Sequence, residues 1–194
     1  MTKIIGLTGG IGSGKTTISN HLKSLGIPVY NSDVQAKKIL YLPETIKSLK
    51  SVFGNSIFSN NLLDKEKLSK LVFNNPEKLK FLNQIIHPVV KVDFDKWLFE
   101  NKNSPLVIKE AAILFESGSY KDCDAIISIS VPQEMRIQRV IERDHHTYEE
   151  VMSRINNQWT DDMRKSKSDY VIDNQDIEKA CAQTEDCIKI LLNY

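Results

Sequence analysis

The chain has 194 residues, 41% of them hydrophobic and 26% charged, the proportions of a folded domain rather than a disordered chain. Its 26 Lys and Arg nearly balance 25 Asp and Glu, for a net charge of +1, which gives no general electrostatic case for nucleic acid or a membrane surface as partner. No apolar run is long enough to span a bilayer, and the first residues lack the apolar core and cleavage site of a secretory signal. Cys123, Cys181 and Cys187 are an odd number without metal-ligand spacing, and His145 and His146 are the only adjacent pair among four histidines. Both facts argue for reduced thiols in a cytoplasm and against a metal cluster. One asymmetry stands out: all five arginines, Arg136, Arg139, Arg143, Arg154 and Arg164, fall within 29 residues, and every other base is lysine.

In chain order, Lys3 to Thr8 reads as a strand ending in glycines. Thr16 to Leu25 carries Ile18, Leu22 and Leu25 at helical spacing, and Gly26 stops it. Ile27 to Tyr30 reads as a second strand, so the first thirty residues form a βαβ unit and imply a parallel sheet. From 34 to about 105 helices dominate, with Leu68, Leu71 and Val72 marking one. Asn75-Pro76 caps the next, which carries Leu79, Leu82 and Ile86. His87-Pro88 is expected to end or kink that helix. The sheet resumes at Leu106 to Ile108 and at Ala125 to Val131. Pro132 opens a helix through Arg143, and Thr147 with Glu150 has capping-box spacing for another. Ser168 to Ile172 reads as a last strand. The final helix has a stripe of Ile177, Ala180, Cys181, Thr184, Cys187, Ile188, Leu191 and Leu192, on which the two cysteines read as packing. The expected class is α/β, one domain over 1–194 with a helical insert (about 34–105) and a lid (about 136–164).

Gly9-Gly10-Ile11-Gly12-Ser13-Gly14-Lys15-Thr16 fits G-x-x-x-x-G-K-[ST] in its required place, after a strand and before a helix. Gly9, Gly12 and Gly14 permit positive φ, so the backbone can close round an anion with its N–H groups pointing inward. The helix start near Lys15 adds its positive dipole end. Gly10, Ile11, Gly12, Ser13, Gly14, Lys15, Thr16 and Thr17 are therefore the candidate ATP-binding stretch, against the alternative of a glycine-rich turn that binds nothing. Lys15 reaches the β- and γ-phosphates in such a loop, and the Thr16 hydroxyl is the candidate Mg²⁺ ligand. These features make a three-layer, parallel-sheet P-loop NTPase fold.

A GTPase would show Asn-Lys-x-Asp, but Asn101-Lys102-Asn103-Ser104 lacks the acid. A kinase of a small molecule fits better, and such an enzyme gains from a base for the acceptor hydroxyl. Asp33 lies just past the second strand, at the edge of the sheet where such sites gather. With Ser32 it could equally do no more than cap the following helix. Arg136, Arg139 and Arg143 share one helix face, as a solvated stripe or as a lid over the triphosphate. Spacing alone does not pick among them.

The chain resembles the dephospho-coenzyme A kinase family along nearly its whole length. The resemblance rests on Leu7 to Lys15, on Gly26 to Asp33, on Ile86-His87-Pro88 and on Leu114-Phe115-Glu116-Ser117-Gly118. It continues through Arg139, Arg143-Asp144, Arg154, Asn157-Gln158 and Ser168 to Asn174. It implies a cytoplasmic transferase that phosphorylates the ribose 3′-hydroxyl of dephospho-coenzyme A with ATP and Mg²⁺, the last step of coenzyme A synthesis. It implies Asp33 as base, an insert that binds the acceptor, and a lid built from 136–164. Arg139 and Arg143 match lid positions, with Arg143 favoured for the phosphates, and Asn174 lies in the segment expected near the adenine. His87 and Glu116 are acceptor-side candidates, and Glu110 shares the loop-acid reading with Glu116. The sequence departs from the family pattern where Asn31 replaces the first acid of an Asp-Ala-Asp motif, Ser32 its alanine and Ala112 a proline. Neither nucleic acid nor a membrane is an expected partner, and a monomer is favoured. A kinase of another alcohol or nucleotide, or an ATP-dependent switch, is the alternative.

Overall fold

The computed structural model describes residues 2–73 and 75–193. In chain order, β1 (Lys3–Gly9) turns into α1 (Lys15–Ser24) and β2 (Val29–Asn31). Then come α2 (Ser32–Ile39), α3 (Pro43–Phe53), β3 (Phe58–Ser59), β4 (Leu62–Leu63), α4 (Lys65–Phe73) and α5 (Pro76–Glu100). The chain closes with β5 (Leu106–Glu110), β6 (Ala125–Ser130), α6 (Gln133–Asp144), α7 (Tyr148–Asn156), α8 (Asp161–Lys167), β7 (Tyr170–Asp173) and α9 (Ile177–Asn193). These elements form two compact units, one running to Asn31 and from Leu98 onward, the other Ser32–Trp97.

The first unit is built on a five-stranded sheet, ordered β2-β5-β1-β6-β7 and parallel throughout. β5 is buried at every residue and β6 at all but its last, as expected of parallel strands covered on both faces. Neighbouring residues of β6 point to opposite faces. Ile127 and Ile129 join Ile5, Leu7 and Ile108 in a cluster closed by Ile18 and Leu22 of α1 and Ala180, Ile188 and Leu191 of α9. Ile126 faces the other way, into a cluster with Ala111, Leu114 and Phe115. Helices α1 and α9 thus cover one face of the sheet, and residues 111–115, which follow β5, pack on the other. Asp124 Oδ2 accepts from Ile4 N at 2.7 Å and Asp169 Oδ2 from Ile126 N at 2.8 Å, so carboxylates satisfy amides at the amino ends of β1 and β6. At the carboxyl end β1 runs into the glycine loop. Cys181 and Cys187 pack half-buried against the α1–α9 cluster, and burial raises both thiol pKa values, which agrees with a packing role.

The second unit has its own core of Leu49, Ile57, Leu63, Leu68 and Val72. Asn75 Oδ1 accepts from Lys78 N at 3.0 Å and caps α5 as the sequence predicts. Two expectations change. His87-Pro88 does not end the helix, which continues to Glu100. A proline removes one N–H, and buried Ile86 and Phe94 anchor the helix on either side of it. The segment also contains an antiparallel β3–β4 pair, turned by Asn60 and Asn61 at φ 50° and 62°. Two successive positive φ values suit a tight hairpin, but strands of two residues leave no alternation to read.

In the first unit, the capping box at the start of α7 forms as the spacing predicts. Thr147 Oγ1 accepts from Glu150 N at 3.3 Å, and Glu150 Oε2 accepts from Thr147 N at 3.0 Å. Replacing Thr147 with Ala is expected to cost about 0.5–2 kcal/mol, read by urea unfolding, with faster hydrogen exchange at the Glu150 amide.

Candidate functional site

The loop between β1 and α1 is closed by its own backbone, with Ser13 N donating to Gly10 O at 3.1 Å. Gly12 (φ 79°) and Gly14 (φ 92°) take left-handed conformations that suit glycine, and Gly14 forms the N-cap of α1. Lys15 is buried and folds back over the loop, its Nζ donating to Gly9 O at 2.7 Å and Gly10 O at 3.2 Å. Thr16 and Thr17 sit exposed in the first turn of α1. Helix-start amides have no earlier carbonyl within the helix to bond, so they and the helix dipole favour an anion there.

The loop is gripped from outside by residues distant in sequence. Ile11 N donates to Gln158 Oε1 at 2.9 Å. Asn174, 2% exposed, donates from Nδ2 to Ser13 O at 2.8 Å, and its own carbonyl accepts from Arg139 Nη2 at 3.0 Å. A Cβ at Gly14 would overlap Asn174 Nδ2, one at Gly12 the backbone carbonyl of Arg136, and one at Gly10 the Arg136 guanidinium. The glycines therefore serve close packing as well as backbone freedom.

Arg136 and Arg164, 3% and 2% exposed, lie over the start of the loop and share one carboxylate, Asp161. Arg136 Nη2 meets Asp161 Oδ2 at 3.0 Å, while Arg164 pairs with Asp161 Oδ1 and with the carbonyl of Trp159. Burial pulls the Arg136 pKa down and Arg164 adds to that pull, with Asp161 opposing. Arg136 Nε and Nη1 have no partner, nor do the buried Ser13 Oγ, Thr8 Oγ1 and Asn174 Oδ1. Each orphaned buried group costs about 1–3 kcal/mol, more if charged.

Arg143 sits elsewhere. Its side chain is 61% exposed and pairs with Asp144 at 2.8 Å, which raises the arginine pKa and lowers that of the aspartate. Arg136 and Arg143 point the same way round α6 but stand seven residues apart, about 10 Å along the axis. The loop meets the near end of that face and not the far one.

The expected acceptor-side residues are distributed over both units. Asp33 lies in the first turn of α2, two residues past the end of β2. There a carboxylate also complements the helix dipole. His87 lies within α5, and burial lowers its pKa. In the first unit, Glu116 Oε1 accepts from Trp159 N at 2.8 Å while its Oε2 is buried without a partner. The ring of Trp159 stacks on Phe115 at 5.1 Å, so this contact fixes the chain just before α8. Glu110, 2% exposed, accepts from Asn31 Nδ2 at 2.8 Å. The amide at 31 thus supplies an N–H to a buried carboxylate, where an acid would bring a second negative charge. Gln158 and Arg136 meet the loop, and Asp161 pairs with Arg136 and Arg164; none of the four is among the site residues chosen from the sequence. Only the arginine clustering and the Asn157-Gln158 pair pointed toward them.

Among known proteins, a family profile described as "Dephospho-CoA kinase" matches residues 3–179. A dephospho-CoA kinase of Fusobacterium nucleatum is 42% identical over 172 residues, 88% of this chain and 89% of that protein. A solved structure from Thermus thermophilus superposes with a TM-score of 0.90 at 30% identity, covering 98% of both chains. The solved dephospho-CoA kinase of Campylobacter jejuni gives 0.72 at 25% identity, over all of this chain and 98% of that one.

Gly12 and Gly26 separate the two demands on glycine. Both have positive φ, but a Cβ at Gly26 meets open space. Gly26→Ala is expected to cost about 1–2 kcal/mol from backbone strain. Gly12→Ala is expected to add about 1–3 kcal/mol from overpacking against Arg136 and Val140. Urea unfolding of both variants checks the difference.

Proposed function

Because the chain belongs to the dephospho-CoA kinase family, we propose that it transfers the γ-phosphoryl group of ATP to the ribose 3′-hydroxyl of dephospho-coenzyme A. The observation that carries the donor half is the glycine loop of β1–α1, covered by two buried guanidinium groups, of which Arg136 has unspent donors. The family match over residues 3–179 carries the acceptor half.

In this reading the stretch Gly10 to Thr17 wraps the β- and γ-phosphates, with the amides of Gly12, Gly14, Lys15 and Thr16 and the ammonium of Lys15 as the donors. Arg139 and Asn174 brace the loop from the side, and Asn174 also borders the adenine. Asp33 takes the proton of the 3′-hydroxyl as its oxygen attacks the γ-phosphorus. A new P–O bond forms, the bond to the β–γ bridging oxygen breaks, and ADP leaves with that electron pair. His87 and Glu116 are proposed contacts to the acceptor, and the unpartnered Oε2 of Glu116 supports a ligand there. Arg143 acts from the exposed end of α6, where closing over the nucleotide would require it to exchange Asp144 for phosphate. We assign 136–164 to that lid and the helical insert to the acceptor.

The residues present fit Mg²⁺ as the companion ion. The exposed Thr16 hydroxyl in the first turn of α1 is a hard oxygen donor, and this metal is commonly bound through a few such groups, phosphates and waters. When bound, it neutralises charge building on the β- and γ-phosphate oxygens. Three free cysteines fit a cytoplasmic enzyme. Among the described residues no helix is long and apolar enough to cross a membrane.

ADP release in the presence of dephospho-coenzyme A, against a panel of other alcohols and nucleotides, tests the assignment. Turnover should exceed background hydrolysis only with dephospho-coenzyme A, and a better acceptor in the panel would displace it. Asp33→Asn is expected to lower kcat by about 10²–10⁴-fold with little change in the KM for ATP. An unchanged kcat would remove Asp33 as the base.

A further inference from the structure

Of the two guanidinium groups over the loop, one has both terminal nitrogens engaged and the other has only one. Arg164 spends Nη1 on the Trp159 carbonyl and Nη2 on Asp161. Arg136 spends only Nη2 on Asp161, leaving Nε and Nη1 without a partner although the side chain is 3% exposed. Nε carries one N–H and Nη1 two, so most of a planar fork is withheld from both water and protein. Two guanidinium charges share one carboxylate, which leaves positive charge in excess beside the loop. The Nη1 end is set directly over Gly10. Lys15 Nζ lies on the carbonyls of Gly9 and Gly10, at the same end of the loop. In loops of this type that lysine attends the β- and γ-phosphates.

We propose that Arg136 is a donor-site contact that reads the terminal phosphate of the nucleotide, with Asp161 and Arg164 holding its guanidinium in place. The proposal deepens the donor half of the function above and rests on it. Asp161 holds Nη2, and the N–H groups of Nε and Nη1 are left to meet phosphate oxygens in a fixed plane, which an ammonium cannot copy. The residue would therefore discriminate a nucleoside triphosphate from the diphosphate product. A purely structural role, tying α6 to α8 through Asp161, makes the opposite forecast, since such a tie has no reason to count phosphates.

Calorimetric binding of ADP and of a non-hydrolysable ATP analogue, without acceptor, separates the two. For Arg136→Gln the analogue should bind about 10–100-fold more weakly, the worth of one charged hydrogen-bonding group. ADP affinity should move by no more than about threefold. Equal weakening of both nucleotides, with a lowered melting temperature, would overturn the proposal. Arg136→Lys keeps the charge and loses the fork, so it should show a smaller loss confined to the analogue. If the glutamine variant does not fold, the lysine variant decides, and no differential loss there counts against the proposal. A wild-type protein that binds neither nucleotide would sink the donor reading itself, a result distinct from failure at Arg136.

Discussion

Crowding around the glycine loop is the constraint on which the site depends. Gly12 presses on the backbone of α6 at Arg136, Gly14 on the amide of Asn174, and Gly10 on a guanidinium. None of these positions has room for a side chain, so the loop is shaped by its neighbours before a ligand arrives. The neighbours come from α6, from the segment before α8 and from the end of β7, and Gln158 and Asn174 add hydrogen bonds to the same loop. A loop held this way loses little conformational entropy on binding, so more of the interaction with a phosphate is available as affinity.

The cations are placed rather than numerous. A net charge of +1 leaves no broad anion-binding surface. Lys15, Arg136 and Arg164 nevertheless converge on a few residues of backbone, where burial weakens solvent screening. Burial works against Arg136 and lowers its pKa, with Asp161 offsetting part of that cost. The orphaned hydroxyls of Thr8 and Ser13 lie in the same β1–loop segment. A bound polyanion would satisfy several of these groups at once.

What was legible from sequence was whatever is local. The β1–loop–α1 unit announces itself through glycine spacing and a helical stripe. The Thr147–Glu150 box and the core face of α9 follow from short-range rules as well. What was not legible depends on position along an axis or on distant partners. Arg136 and Arg143 are equivalent by helical angle, and only the docking of the near end of α6 on the loop tells them apart. The β3–β4 turn uses Asn60 and Asn61 rather than a glycine, and Pro88 is carried by anchors on both sides of it. The amide at Asn31 looked like a lost acid until Glu110 supplied its partner.

Hydrogen exchange along the loop, with and without ATP and Mg²⁺, tests most directly the claim that a preformed cradle awaits phosphate. The account predicts that the amides of Gly12, Gly14 and Thr16 gain strong protection with nucleotide. The Ile11 amide, already bonded to Gln158, should change less, and Ile127 in the sheet not at all. Loop amides that exchange equally fast with and without ATP would contradict it.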